Sequence, residues 1–250
     1  MRKGFWTVAK QIIKKADIVL EVLDARMPEL TRNKQMEKNA AKCRKPLILV
    51  INKGDLVSPT TKTYLRKRYQ NHLLISSKLS KGINELVKMI KSRINRREIR
   101  VAVIGYPNTG KSSLINRLSK GGKVRTSSES GFTKGLQLIA GKDNLRLFDT
   151  PGVVPFEERD DVRLGLMSGI SPSKLKDPEM VACELIKIFK ENNPKALKRA
   201  YGVDPKDKIP DDFLVEFGRK KNMLKKKGEI DERRAAIQLL IDWHKGKIKL

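Results

Sequence analysis

Gly105-Tyr106-Pro107-Asn108-Thr109-Gly110-Lys111-Ser112 follows the apolar run Val101-Ala102-Val103-Ile104 and opens into a helix-patterned segment that ends near Leu118. A strand that stops, a glycine-bearing turn and a helix N-terminus together offer backbone N–H groups, a helix dipole and a lysine to a polyphosphate. The stretch therefore reads as a phosphate-binding loop. Pro107, Asn108, Thr109 and Gly110 shape its backbone, Lys111 is placed to reach the β/γ-phosphates, and Ser112 is expected on Mg²⁺. Ser113, next on the helix, is counted with the nucleotide-binding positions.

Upstream of this loop, apolar runs alternate with amphipathic segments. Phe5, Val8, Ala9, Ile12 and Ile13 recur at helical spacing, with Lys10, Lys14 and Lys15 on the other side. Strands are predicted at 18–23, 47–51 and 73–75, and helices at 33–42, 59–69 and 83–94. That spacing predicts an α/β fold with a mostly parallel sheet covered by helices on both faces. Downstream, 136–140 and 145–148 flank Gly141-Lys142-Asp143-Asn144 as a β-hairpin. From Pro172 onward the pattern is helical, at 180–189, 195–201, 212–224 and 231–244, with Asp177 and Asp231 as N-caps. Two domains follow: an α/β domain over 1–156 and a small all-helical domain over 157–250.

The 250-residue chain carries a formal charge of +27, which points to polyanionic partners. Residues 1–156 hold 33 Lys and Arg against 11 Asp and Glu, an excess of 22; residues 157–250 hold 22 against 17, an excess of 5. Cys43 and Cys183 lack the spacing of a zinc site or a disulfide framework. No apolar run approaches the ~20 residues of a membrane span, and the N-terminus does not read as a signal peptide, so the expected compartment is the cytoplasm, with no membrane partner.

Three further loop motifs bear on the ligand. Asn52-Lys53-Gly54-Asp55 follows the buried strand 47–51, where loops at the carboxyl ends of parallel strands meet a ligand. The Asp55 carboxylate can accept from both N1–H and the exocyclic amine of guanine, which adenine does not offer; Asn52 would tie the loop to its neighbours and the Lys53 stem would lie over the base. Ser76-Ser77-Lys78 follows the next short strand, where a backbone N–H near Ser77 could meet guanine O6. Asp149-Thr150-Pro151-Gly152 closes the hairpin, with Asp149 expected on Mg²⁺ and the Gly152 N–H on the γ-phosphate. Thr133 lies in the Gly/Ser-rich segment between loop and hairpin and is the candidate for the second hydroxyl ligand of Mg²⁺. The ligand read from these motifs is GTP or GDP with Mg²⁺.

In ordinary small GTPases the phosphate loop comes first and the guanine motifs last. Here NKGD and SSK precede GYPNTGKS, Thr133 and DTPG, an order that resembles the circularly permuted GTPases of the YlqF/YawG type. The likeness extends to Asp24-Ala25-Arg26-Met27-Pro28 and to the closing helix from Arg234 to Asp242, and so covers essentially the whole chain. It implies a circularly permuted P-loop GTPase domain followed by a helical RNA-binding domain, an archaeal source, and a role in large ribosomal subunit assembly with rRNA as partner. Charge alone does not separate RNA from DNA; no DNA partner is expected, and a monomer is.

The residue after DTPG is Val153, which cannot orient water as the glutamine of many GTPases does. The resemblance implies that Asn108 coordinates K⁺ where an arginine finger would otherwise supply charge. The expected catalytic set is Lys111, Asn108, Thr133 and Gly152, with slow intrinsic turnover stimulated by K⁺ or by ribosomal particles; an RNA-binding scaffold that holds GTP or GDP without significant turnover is the alternative. His72 and His244 are far from these motifs in sequence and are not expected to serve as bases.

Overall fold

The alternation read from the sequence forms two compact units, Met1–Glu158 and Arg159–Leu250. The structure, a computed structural model, describes residues 4–121, 138–149, 160–226 and 228–250. Unit 1 begins with α1 (Gly4–Lys15), β1 (Ile18–Asp24), the single turn α2 (Pro28–Thr31) and α3 (Lys34–Lys42). It continues with β2 (Leu47–Asn52), α4 (Pro59–Arg68), β3 (His72–Leu74) and α5 (Ile83–Arg93). Then come β4 (Ile99–Ile104), α6 (Lys111–Leu118), β5 (Leu138–Ala140) and β6 (Leu145–Asp149).

The sheet runs β3-β2-β1-β4-β6-β5. Every neighbouring pair is parallel except the hairpin β5–β6. The chain starts in the middle, lays β2 and β3 on one side of β1, then crosses to put β4 on the other. The strand order thus reverses between β1 and β4, and the carboxyl ends flanking that switch point are where such sheets take ligands.

Side-chain alternation along β1 divides the core. Ile18, Leu20 and Val22 share one cluster with Leu86 and Ile90 of α5 and Leu114 and Leu118 of α6. On the other face Val19 packs with Ile12, Ile13 and Met36 under α1 and α3, and Leu23 with Leu65 and Tyr69 near α4. Each such burial contributes about 1.5–3 kcal/mol. A one-residue slip would exchange the faces and drive Glu21, fully buried on the α1/α3 side, among the aliphatics of α5 and α6, so register is firmly specified. The amphipathic reading of the first helix holds here: Ala9, Ile12 and Ile13 are buried while Lys10, Lys14 and Lys15 are exposed.

Unit 2 is all helical among its described residues: α7 (Asp161–Leu166), α8 (Pro178–Asn192), α9 (Pro194–Tyr201), α10 (Pro210–Lys220) and α11 (Glu232–His244). Asp177 and Asp231 cap α8 and α11 as expected, accepting from Met180 N–H at 2.8 Å and Arg234 N–H at 3.0 Å. Phe189 meets Trp243 edge to face at 5.7 Å, and the Trp243 indole donates to Leu166 O at 2.8 Å, which ties α7 to α11.

In unit 2, two features differ from the expectation; in unit 1 the turn α2 was not expected. The helix predicted over 212–224 ends at Lys220, because Asn222 turns left-handed (φ 51°) and the Met223 N–H closes on Gly218 O at 2.9 Å. Met223 and Leu224 keep helical spacing, but Leu224 forms an antiparallel bridge with Ile230 instead. The short α7 was not foreseen; its signal is the N-cap Asp160, which accepts from Val162 and Arg163 N–H at 3.0 and 3.1 Å.

Candidate nucleotide-binding site

Because β1, β2, β3, β4 and β6 are parallel, the loops after them converge on one edge of the sheet. Asn52, buried at the end of β2, joins three of them. Its amide nitrogen donates to Thr109 O in the phosphate loop at 3.1 Å, and its amide oxygen accepts from the Ser77 N–H at 2.9 Å. Asp55 is set by the same neighbourhood: the Ser76 hydroxyl donates to its Oδ1 at 2.6 Å, and the Gly54 N–H donates to Ile75 O at 2.9 Å. The asparagine, the aspartate and the serines expected from sequence are therefore brought together.

The phosphate loop departs from ordinary backbone where the sequence supplies glycine or asparagine. Gly105 (φ 144°) lets the loop pass over β1, since a Cβ there would lie 2.5 Å from Val22 O; at Gly110 (φ 98°) one would lie 2.2 Å from the Asn52 amide nitrogen. Asn108 also takes a left-handed conformation (φ 60°). Lys111 is buried and donates through Nζ to Tyr106 O at 2.7 Å, while Thr109 Oγ1 donates to the same carbonyl at 3.0 Å. The N-cap of α6 is Gly110, which has no side chain to cap it, and the first turn holds no acid. A helix N-terminus of that kind favours an anion.

Ser112 lies in the first turn of α6, half-buried. The backbone of Asp149 ends β6 in register with Val103, two residues before the phosphate loop begins. A hydroxyl and a carboxylate-bearing residue at those places are oxygen donors of the type Mg²⁺ takes beside a polyphosphate; when bound, the ion would neutralise developing phosphate charge. Thr133, Thr150, Pro151, Gly152 and Val153 lie outside the described residues, as does the side chain of Asp149.

Two parts of the site were missed from sequence. Asp24, ending β1, is 6% exposed. Its Oδ1 accepts from Arg26 N–H and Nε, each at 3.0 Å, and its Oδ2 from Arg26 Nη2 at 2.7 Å and Lys53 Nζ at 2.8 Å. Burial opposes its ionisation, but the charge and hydrogen bonds of Arg26 and Lys53 prevail and hold the carboxyl at about 2. Burial lowers the Lys53 pKa, with the Asp24 charge working against it. Lys53 itself is left-handed (φ 61°). Its ammonium is thus fixed by the strand next door; Asp24 and Arg26 stood in the sequence only within the stretch Asp24-Ala25-Arg26-Met27-Pro28, to which no role in the site was given.

Arg117 on α6 is the second. Its Nε donates to Ser77 O at 2.9 Å and its Nη2 to Lys78 O at 3.1 Å, so the helix behind the phosphate loop grips the loop that follows β3. The histidines sit elsewhere: His72 begins β3, edge-on to Tyr69 at 6.1 Å, and a His244 ring nitrogen lies 2.6 Å from Gly165 O in unit 2. Among the described residues, no group of three or more His, Cys, Asp or Glu could hold a metal ion, and no helix is long and apolar enough to cross a membrane.

A sheet whose phosphate loop follows its fourth strand, with the guanine-type motifs after its second and third, defines a P-loop nucleotide-binding domain in circularly permuted order. The sequence model of the 50S ribosome-binding GTPase family matches residues 100–216. The chain is 33% identical over 245 residues to an uncharacterized GTP-binding protein, MJ1464, of Methanocaldococcus jannaschii, covering 96% of this chain and 65% of that one. It is 30% identical to the nuclear GTP-binding protein NUG1 of Saccharomyces cerevisiae, covering 99% and 55%. The chain thus spans less than two thirds of these relatives' own length. In fold it is similar to GNP-bound YlqF from T. maritima (TM-score 0.67, 23% identity, 99% of this chain and 97% of that) and to the GDP-bound form (TM-score 0.64, 24% identity, 96% of each). The chain is thus similar in fold and in motif order to the circularly permuted, YlqF-type GTP-binding proteins, and its residues 100–216 match the 50S ribosome-binding GTPase family.

Proposed function

We propose that the chain is a slow GTP-hydrolysing switch that acts on rRNA or precursor particles during large ribosomal subunit assembly. The observation that carries this reading is the Asn52 side chain, which bonds the phosphate loop and the Ser77 N–H at once. A triphosphate site and a guanine-reading loop so joined favour GTP over other nucleotides. Asp55, steadied by Ser76, selects the base. Ser112, Thr133 and Asp149 hold Mg²⁺, Lys111 carries the β/γ-phosphates, and Gly152 reports the γ-phosphate. Asn108, left-handed at the loop's apex, is the K⁺ ligand that offsets the absence of a glutamine at Val153. The α/β domain over 1–156 is the switch, and residues 157–250 form a second ribosome-contacting domain.

Co-sedimentation with large ribosomal subunits in GDP and in a non-hydrolysable GTP analogue tests the switch; equal binding in both states would sink it. The alternative, a scaffold that holds nucleotide without turnover, is favoured by Val153 alone. Single-turnover hydrolysis with and without subunits, in Na⁺ and in K⁺, separates the two.

A further inference from the structure

The parallel sheet gives unit 1 a second edge, formed by the amino ends of β1, β2, β3, β4 and β6, opposite the nucleotide loops. The chain enters nearly every strand there through basic residues. β1 is entered from Lys14 and Lys15, β2 from Arg44 and Lys45, and β4 from Arg96 and Arg97. The last turn of α4, leading to β3, holds three consecutive basic residues. The connecting stretches 14–17, 42–46, 66–71, 93–100 and 141–146 hold 14 Lys and Arg against 3 Asp and Glu. That excess of 11 is half the excess of 22 carried by residues 1–156.

Complementing helix C-termini explains some of these charges, such as Lys14 and Lys15. It does not explain Arg96 and Arg97, which follow α5 in a loop, or Arg100 and Arg146, which stand on strands. Nor do the acids neutralise the edge. The buried Asp17 carboxylate accepts from Arg96 Nη1 at 2.8 Å and from Arg100 N, Nε and Nη2 at 2.8, 3.2 and 2.9 Å. One acid thus orients two guanidiniums whose side chains stay 60% and 42% exposed. Glu98 is taken by Arg146 at 2.8 Å.

Resting on the ribosomal reading above, we infer that this amino edge of the sheet docks the phosphate backbone of structured RNA and is the principal RNA contact of unit 1. Planar guanidiniums held in place suit phosphate oxygens, and a chain with only 5% aromatic residues suits backbone and shape recognition better than stacking on unpaired bases.

The test is a variant carrying Lys14→Gln, Lys15→Gln, Arg44→Gln and Arg97→Gln, all exposed, compared with one carrying Arg219→Gln, Lys225→Gln, Lys226→Gln and Lys245→Gln in unit 2. Affinity for deproteinised large-subunit rRNA is measured from 50 to 300 mM salt, with GDP binding as the check that the edge variant is folded and native helix content by circular dichroism as the check on the unit 2 variant. The edge variant is expected to bind about tenfold or more weakly at 0.15 M salt and to lose about 3 from the slope of log K against log salt, with GDP affinity unchanged. Native affinity and slope in the edge variant, or equal losses in both variants, would overturn the inference. So would a loss confined to phosphatidylserine vesicles, which would make the occupant a membrane. If the native chain binds no rRNA, the ribosomal reading falls with it; if the native chain binds and the edge variant matches it, this inference alone falls.

Discussion

Arg117→Ala tests whether the loop proposed to read guanine is positioned by the helix behind the phosphate loop. The fork donates two charge-assisted hydrogen bonds, to Ser77 O at 2.9 Å and Lys78 O at 3.1 Å. Such bonds contribute about 1.5–3 kcal/mol each when water is excluded. Arg117 is exposed, so solvent and salt offset much of that, leaving about 1–2 kcal/mol for the pair. What the fork holds is more than two carbonyls. The same loop carries the Ser77 N–H, bonded to Asn52, and Ser76, which steadies Asp55. Loosening it should displace the contacts to guanine and leave the phosphate loop in place.

The expected result is a GDP dissociation constant raised about 5- to 30-fold, measured by fluorescence of a labelled nucleotide. On the proposal that Asp55 reads guanine, ATP does not use it, so the weak binding of ATP should hold and the GTP-to-ATP preference should fall by the same factor. Arg117→Lys keeps the charge but not the fork and should recover less than half the loss. GDP affinity within twofold of native would refute the reasoning, and so would ATP affinity falling in parallel, because that pattern reports general damage to the unit.

Asp24→Asn leaves Arg26 and Lys53 without their shared carboxylate and should cost about 3–5 kcal/mol in a denaturant titration of unit 1. Since the folded carboxyl is held at about 2, below its ordinary 3.8, the native chain has this contribution above about pH 4 and loses about 2 kcal/mol as pH falls through 2; the variant should lack that acid limb. Glu21 is the reverse case. Burial pushes its carboxyl up to about 8 despite the Asn33 N–H at 2.6 Å, and the nearby Glu37 charge adds to the shift. Its protonated fold is therefore favoured at low pH and loses stability from about pH 4.5 to 8. Glu21→Gln should gain on the native chain across that window by about 3–5 kcal/mol, and parallel stability–pH curves for the two would refute it.

What the sequence disclosed follows from the range of each interaction. The phosphate loop, Asn52 to Asp55 and Ser76 to Lys78 were legible because each motif is contiguous and follows an apolar run. The sheet was legible because period-2 burial along β1 and amphipathic spacing along α1 leave a local trace. Arg117 left none: it acts across 40 residues on backbone carbonyls, which have no residue identity. The Asp24–Lys53 pair spans 29 residues, and Lys53 looked like a base-covering side chain because its partner is fixed only by β1 lying beside β2. The end of α10 was misread because Met223 and Leu224 keep helical spacing while Asn222 alone reverses the backbone.

The sheet also decides how nucleotide and polyanion can influence each other. β1 spans seven residues from Ile18 to Asp24, so its two ends lie about 20 Å apart. That exceeds two Debye lengths at physiological salt, where the screening distance is about 8 Å. The positive edge at the amino ends therefore adds little to triphosphate affinity at the carboxyl ends, and RNA bound on one edge does not compete electrostatically for the other. Any dependence of RNA binding on GTP must instead pass through parts that both sites move. Asp17 holds Arg100 at the start of β4, and β4 runs straight into Gly105 and the phosphate loop. A strand that begins among the RNA-facing arginines and ends at the triphosphate is the shortest such route. Neutralising the edge should then weaken RNA binding in both nucleotide states by the same factor, whereas Asp17→Asn, which removes the charge that orients the Arg96 and Arg100 guanidiniums, should change the ratio between them.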